Sequence, residues 1–267
     1  MTSLEGKVAV VTGSGNGIGR AIALAMSSEG ARVVVSDVLV EDGERTVQEI
    51  TDLSGSAVFV KTDVSIVEQA QNLIESAFTI FGSLDILVNN AGTSGGSVRL
   101  HEVEPEEFDR VVDVNLRGTF LCSKYAIAHF LAHGGGRIIN IASTYGLVGA
   151  PNSPAYCASK AAIINLTRQL AVDYSPDDIR VNAICPGYID TSLGRRRSAM
   201  SAQEIADATA RREKAASLQP MGRQARPSEV ATVAVFLATE GASFMTGSIV
   251  PVDGGCTTTF NYGEASN

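Results

Sequence analysis

VAVVTGSGNGIG, residues 8–19, is the stretch that decides how this chain folds. Val8 to Thr12 is a short β-branched and apolar run, which reads as a buried strand. A glycine-dense turn follows, and a helical pattern opens within it, giving strand, tight turn and helix. Glycine lets the backbone turn sharply and approach a pyrophosphate, while a helix N-terminus offers N–H donors and the positive end of its dipole. Gly13, Ser14, Asn16, Gly17, Ile18 and Gly19 are therefore candidate contacts to a dinucleotide, although the turn taken alone also suits a purely structural corner. Its spacing is GxxxGxG, and the lysine that a P-loop requires is missing, which disfavours ATP and GTP.

Working outward, the next strand, RVVVSD at 32–37, ends on Asp37, 18 residues beyond Gly19. That is close to the distance of about 20 at which an acid meets the adenosine ribose hydroxyls. A carboxylate there would repel a 2′-phosphate, and neither Ser14 nor Asn16 supplies a compensating cation, so the expected cofactor is NAD, with NADP less favoured. Asp37 could instead cap the helix that starts near Glu41, but a cap usually stands immediately before its helix.

The alternation continues with helices at about 18–29 and 41–53, a strand at 57–63, a helix at 66–81 and a strand at 84–90. A long helix is expected at about 105–132, a strand at 136–143, a helix at 154–174, and strands at 179–187 and 248–253. Continuous apolar strands joined by helices predict a parallel sheet covered on both faces. The expected architecture is α/β, a Rossmann-type doubly wound sheet of about seven strands, in one domain spanning residues 1–267. The least regular stretch, 188–226, carries Arg195-Arg196-Arg197 and reads either as a substrate lid or as a solvated insertion.

With 45% hydrophobic residues over 267 positions, the chain can bury a sizeable core. Its formal charge of -8 repels a phosphate backbone, which argues against nucleic acid. No apolar run approaches the 18 or more residues of a membrane span, and no secretory signal pattern opens the sequence, so a cytoplasmic location is expected. Cys122, Cys157, Cys185 and Cys256 form no CxxC pair and read as reduced thiols. His129 and His133 have the spacing of a zinc pair but lack the HExxH glutamate, so no metal is expected.

Tyr156 and Lys160 stand four apart in a predicted helix, share a face and are separated by about 6 Å of rise. An ammonium beside a phenol favours the phenolate, so the spacing predicts a tyrosine pKa below its usual value and a usable acid or base. Ser143 ends the preceding strand on the ligand side of the sheet, where its hydroxyl could polarise a carbonyl. Here the chain resembles the compact branch of the short-chain dehydrogenase/reductase family, from about Lys7 to Gly255. The resemblance rests on TGSGNGIG at 12–19, Asp63-Val64, NNAG at 89–92, Asn115, Ser143, YCASK at 156–160 and PGYIDT at 186–191.

The resemblance implies a tetrad in which Ser143 orients the substrate oxygen and Tyr156 transfers its proton. Lys160 would hold the nicotinamide ribose and depress the tyrosine pKa, and Asn115 would support a water relay. It also implies that Asp63 and Val64 contact adenine, that Asn89, Ala91 and Gly92 line the cofactor cleft, and that Pro186, Gly187, Ile189 and Thr191 hold the nicotinamide. The expected reaction is hydride transfer between NAD and a small or medium secondary alcohol or its ketone, in a homotetramer built through the two long helices and the last strand. A 3-oxoacyl reductase preferring NADP is the alternative within the family.

Outside the family, Gly92-Thr93-Ser94-Gly95-Gly96 fits the GxSxG elbow of hydrolases, but the residues after Ser94 read as loop until Pro105. A nucleotide sensor that kept the fold and lost the chemistry is a third reading, which the complete tetrad opposes. Ser94, Tyr145, Val148, Asn152, Tyr188 and Leu193, with Met200 or Met221 from the lid, are the expected pocket residues, a mostly neutral set. The tail could bring Phe260 or Tyr262 to a neighbouring pocket.

Overall fold

The computed structural model describes residues 3–191, 201–217 and 219–259. In chain order it runs β1 (Val8–Thr12), α1 (Gly17–Ser28), β2 (Arg32–Asp37), α2 (Val40–Asp52), β3 (Ala57–Lys61), α3 (Val67–Phe81) and β4 (Ile86–Asn89). The second half runs α4 (Pro105–Val112), α5 (Gly118–His133), β5 (Gly136–Ile141), α6 (Pro154–Tyr174), β6 (Ile179–Pro186), α7 (Ala202–Ser217), α8 (Pro227–Ala238) and β7 (Ile249–Val252). The seven strands form one sheet in the order β3-β2-β1-β4-β5-β6-β7, and the paired strands are parallel.

The two-residue period of a strand sorts the core into two layers. Ala9, Val11, Val33 and Val35 point to one face and pack with Ile22 and Met26 of α1 and Val230 and Leu237 of α8. Val8, Val10 and Val34 point to the other face, against Leu73 of α3, Leu121 and Phe130 of α5, and Leu170 of α6. Proline begins α4, α6 and α8, where its missing N–H costs nothing. Gly134 ends α5 in the left-handed region, φ 86°, which a side chain would oppose.

Because β1 is followed outward by β2 and β3 on one side and by β4 on the other, the strand order reverses between β1 and β4. A crevice opens at the carboxyl ends of those two strands, the place where ligands of such sheets bind. The strands expected at 57–63, 84–90 and 136–143 stop earlier, at Lys61, Asn89 and Ile141. Their polar ends, Asp63, Asn90 and Ser143, make side-chain to backbone hydrogen bonds that draw the chain out of the ladder.

Two further expectations change. The helix expected at 105–132 is interrupted by a π turn at Asp113–Arg117, so α4 and α5 are separate segments. The stretch 188–226 is less irregular than it reads, since it holds α7. Its ends are tied by a parallel bridge between Ile189 and Ala225, with Asp190 N donating to Ala225 O at 2.8 Å and Ala225 N to Tyr188 O at 2.9 Å. Leu193, Arg195–Arg197, Met200, Phe260 and Tyr262 lie outside the described residues. Among the described residues, no helix is long and apolar enough to cross a membrane, and the four cysteines are free thiols.

Candidate active site

The glycine turn is wedged between the ends of β2 and β4. A Cβ on Gly13 would lie 2.8 Å from Ala91 Cα, and one on Gly19 would lie 2.2 Å from Gly13 O. No side chain caps α1, whose first turn opens at Gly17 on the crevice. Uncapped N–H groups and a helix dipole beside a turn without side chains suit a pyrophosphate, so the cradle fits a dinucleotide. Asn16 is the N-cap residue of α1, with extended backbone, and Ile18 is partly buried against the core.

Two motif residues with no role assigned from the sequence brace this turn. Thr12 Oγ1 accepts the N–H groups of Asn90 and Ala91, each at 3.0 Å. Asn90 Nδ2 donates to the carbonyls of Thr12 and Gly13, each at 2.9 Å. The signal was present in the tandem asparagines, because successive strand residues face opposite ways and only one of the two can reach the glycine turn.

The other asparagine, Asn89, expected to line the cofactor cleft, turns its side chain away from it. It is buried, and its Nδ2 donates to Ser123 Oγ at 3.0 Å and to Asn140 Oδ1 at 2.9 Å, inside the layer under α5. Ser14 is corrected in the same way: its hydroxyl donates to Val11 O at 2.7 Å and accepts from Ser36 N at 2.9 Å, and its own N–H bonds Ser36 O. Fully buried and so committed, Ser14 ties β1 to β2 and offers no donor to a ligand.

Asp37 stands beside the glycine turn. Its Oδ2 accepts from Gly15 N at 3.0 Å and its Oδ1 from Leu39 N at 3.0 Å, so it shapes the turn and also steadies the start of α2. Asp63 Oδ1 accepts from Ser65 N and Oγ ahead of α3, and the Val64 side chain fills the space left by Gly118. Thr191 leans on the glycine turn, its Cγ2 3.3 Å from where a Gly17 Cβ would stand. Gly187 passes Asp253 at a separation that admits no side chain, following Pro186 at the end of β6. Ile189 is a core residue, so its side chain is not available to a ligand.

Tyr156, Lys160, Ser143, Asn115 and Gly92 come together at the carboxyl ends of β4 and β5. Lys160 Nζ lies 5.7 Å from the centre of the Tyr156 ring and donates to Ile141 O at 2.8 Å. A Cβ on Gly92 would stand 3.2 Å from Asn115 Oδ1 and 3.5 Å from Lys160 Nζ. The π turn places Asn115 there fully buried, with Oδ1 accepting from Thr93 N at 2.7 Å and Nδ2 donating to Thr93 O at 2.9 Å. Single π turns inside helices recur at functional sites.

The electrostatics reverse one expectation. The Tyr156 pKa is raised, first of all by burial, while a hydrogen bond with the Ser143 side chain pulls it down and the nearby thiols Cys157 and Cys185 push it up. Lys160 does not offset this, because its ammonium bonds a carbonyl and is itself penalised by burial, which lowers it from 10.5 to about 8. A lysine depressed in the fold binds fewer protons than when unfolded. The destabilisation is therefore full below about pH 8 and fades as pH rises toward 10.5.

A cavity of about 140 Å³ adjoins Tyr156, walled by Ser94 to Gly96, Val98, Val111 and Pro154. Of the expected pocket residues that the structure describes, only Ser94 lines it. Tyr145 stands edge-on to Tyr156 with ring centres 6.2 Å apart, and its hydroxyl is 3.4 Å from that of Tyr188. Val148 and Asn152 are exposed on the loop before α6, and Met221 is exposed beside Gly254. The Val98 and Val111 wall escaped the sequence reading because it needs the loop after β4 to fold back on α4, where Gly96 N donates to Glu107 Oε1 at 3.0 Å. No α-helix follows Ser94 before Pro105, only a short 3-10 turn at Leu100–Glu102, which removes the hydrolase elbow.

A doubly wound parallel sheet with a glycine turn at its crevice defines a Rossmann-like protein. A family model described as "Enoyl-(Acyl carrier protein) reductase" matches residues 13–257. The chain belongs to the short-chain dehydrogenase/reductase family, oxidoreductases that use nicotinamide nucleotides. It is 43% identical over 251 residues to cis-4-hydroxycyclohexanecarboxylate dehydrogenase of Sinomonas cyclohexanicum, covering 94% of this chain and 96% of that one. It is 39% identical to cyclohexanol dehydrogenase of Acinetobacter sp. strain SE19, covering 94% and 95%. The crystal structure of a short-chain type dehydrogenase/reductase from Mycobacterium marinum superposes with a TM-score of 0.88 at 34% identity, covering 97% and 98%.

Proposed function

We propose that the protein is an NAD-dependent dehydrogenase that interconverts a small or medium secondary alcohol, cyclic in the preferred case, and its ketone. The observation that carries this reading is the convergence of Ser143, Tyr156, Lys160 and Asn115 beside the glycine turn and Asp37. The cyclic alcohols named for two relatives and the largely apolar cavity beside Tyr156 support the substrate class. The four-residue spacing of Tyr156 and Lys160 favours a dehydrogenase over an enoyl reductase, in which that spacing is usually wider.

A bound nicotinamide would accept or supply the hydride. The Ser143 hydroxyl, already hydrogen-bonded to the phenol, orients the substrate oxygen toward it. Tyr156 removes the hydroxyl proton in oxidation and returns it in reduction. Lys160 holds the nicotinamide ribose, while Asp37 takes the adenosine ribose hydroxyls and disfavours a 2′-phosphate. Asp63 and Val64 face adenine, and Ala91, Gly92, Pro186, Gly187 and Thr191 line the nicotinamide end. The stretch 188–226, tied at its base through Ile189 and Ala225, serves as the substrate lid.

Initial rates of NADH formation with a panel of secondary alcohols test the reading, and an absence of NAD-linked turnover on every alcohol would overturn it. The raised Tyr156 pKa sets the pH dependence. Oxidation needs the phenolate, so its kcat/KM is expected to climb through the alkaline range, whereas reduction needs the phenol and is expected to stay high at neutral pH. An oxidation profile that is flat from neutral to alkaline pH would contradict the role of Tyr156 as base.

We infer further that the protein is a homotetramer assembled through α4, α5, α6 and β7. Phe120, half-exposed on α5, together with Ile127, Leu166 and Tyr174 lines an apolar groove between α5 and α6 that supports this assembly. A monomer mass in light scattering would refute it.

A further inference from the structure

We propose that Ser159, through its hydroxyl, is a positioning residue for the reaction. It ties the π turn bearing Asn115 to the main chain of Tyr156 and so sets the approach of phenol and ammonium. The inference rests on the dehydrogenase reading above and adds a residue to it. Asn115 Nδ2 donates to Ser159 Oγ at 3.0 Å, and Ser159 Oγ is 2.8 Å from Tyr156 O. A carbonyl can only accept, so the single hydroxyl hydrogen goes to Tyr156 and the oxygen receives Asn115. The result is a chain with one direction: Thr93 N–H to Asn115 Oδ1, Asn115 N–H to Ser159, Ser159 O–H to Tyr156 O.

With its second hydrogen on Thr93 O, the Asn115 amide group has both donors filled. Asn115 is 0% exposed and Ser159 1%, so neither can turn to solvent for a replacement partner. The Asn115 carbonyl oxygen and the Lys160 ammonium border the same space beside Gly92, 3.2 Å and 3.5 Å from where a Cβ on that glycine would stand. Ser159 precedes Lys160 in α6 and faces the π turn, while Lys160 faces Ile141 and Tyr156. It therefore acts through its neighbours and not on the substrate.

Ser159→Ala is expected to lower kcat for alcohol oxidation by about 10-fold, the scale of a small misplacement of reacting groups, with the KM for NAD little changed. Ser159→Thr, which keeps a hydroxyl, is expected to restore most of the loss. An ultraviolet titration of tyrosinate, with the Tyr156→Phe signal subtracted, is expected to show a displaced Tyr156 midpoint in Ser159→Ala. In a double-mutant cycle, Ser159→Ala and Asn115→Ala are expected to be non-additive, because both break the same chain.

The proposal is overturned if Ser159→Ala keeps the wild-type kcat and Tyr156 midpoint, even with a lower Tm, or if the two substitutions multiply independently. The tyrosinate titration needs no turnover. An inactive wild type would thus refute the dehydrogenase reading, while the midpoint still decides the role of Ser159.

Discussion

Tyr156→Phe is expected to reduce kcat in both directions by about 10³-fold, within the 10²–10⁴ range of a lost general acid or base. The ring is kept, so its edge-on contact with Tyr145 and its place under Lys160 survive. Ser143 retains a partner as well, since its Oγ also accepts from Tyr145 N at 3.1 Å. Stability and NADH affinity should therefore remain close to wild type, and stopped-flow turnover alongside NADH fluorescence titration separates the two effects. Wild-type kcat in this variant would remove Tyr156 from the chemistry.

Asp37→Ala is expected to shift the ratio of kcat/KM for NAD over NADP by about 100-fold toward NADP. At an effective dielectric of about 20, like charges about 4 Å apart repel by on the order of 4 kcal/mol. Water at the crevice edge reduces this to about 3 kcal/mol, or roughly two powers of ten. The loss has a second component, because Asp37 accepts from both Gly15 N and Leu39 N and so helps hold the turn. NAD affinity should fall together with the gain for NADP. Steady-state kinetics with both cofactors measures the ratio, and an unchanged ratio would show that the carboxylate does not discriminate.

The sheet was legible because its strands are continuous apolar, largely β-branched runs, punctuated by glycine and proline and, in β1, β4 and β6, buried throughout. Tyr156 and Lys160 were legible because helical spacing alone puts them on one face. What escaped the sequence depends on contacts between distant segments. The inward turn of Ser14 and Asn89 depends on partners supplied by β2, β5 and α5. The π turn shifts the helical phase by a single residue, too little to disturb the apolar pattern of 105–132. The direction of the Tyr156 pKa depends on burial, which local spacing does not reveal.

The asparagines under α5 have a consequence for how the sheet is assembled. Asn89 and Asn140 face each other as cross-strand partners of β4 and β5, and Asn140 Nδ2 reaches on to Thr167 Oγ1 of α6 at 2.9 Å. Around them both strands are isoleucine, leucine and valine, which would tolerate being threaded one step out of alignment. Such a slip would strand an amide in hydrocarbon on each strand, at a cost of about 1–3 kcal/mol apiece. The polar thread thus works as an assembly key, rejecting misaligned pairings of the strands whose ends carry the chemistry.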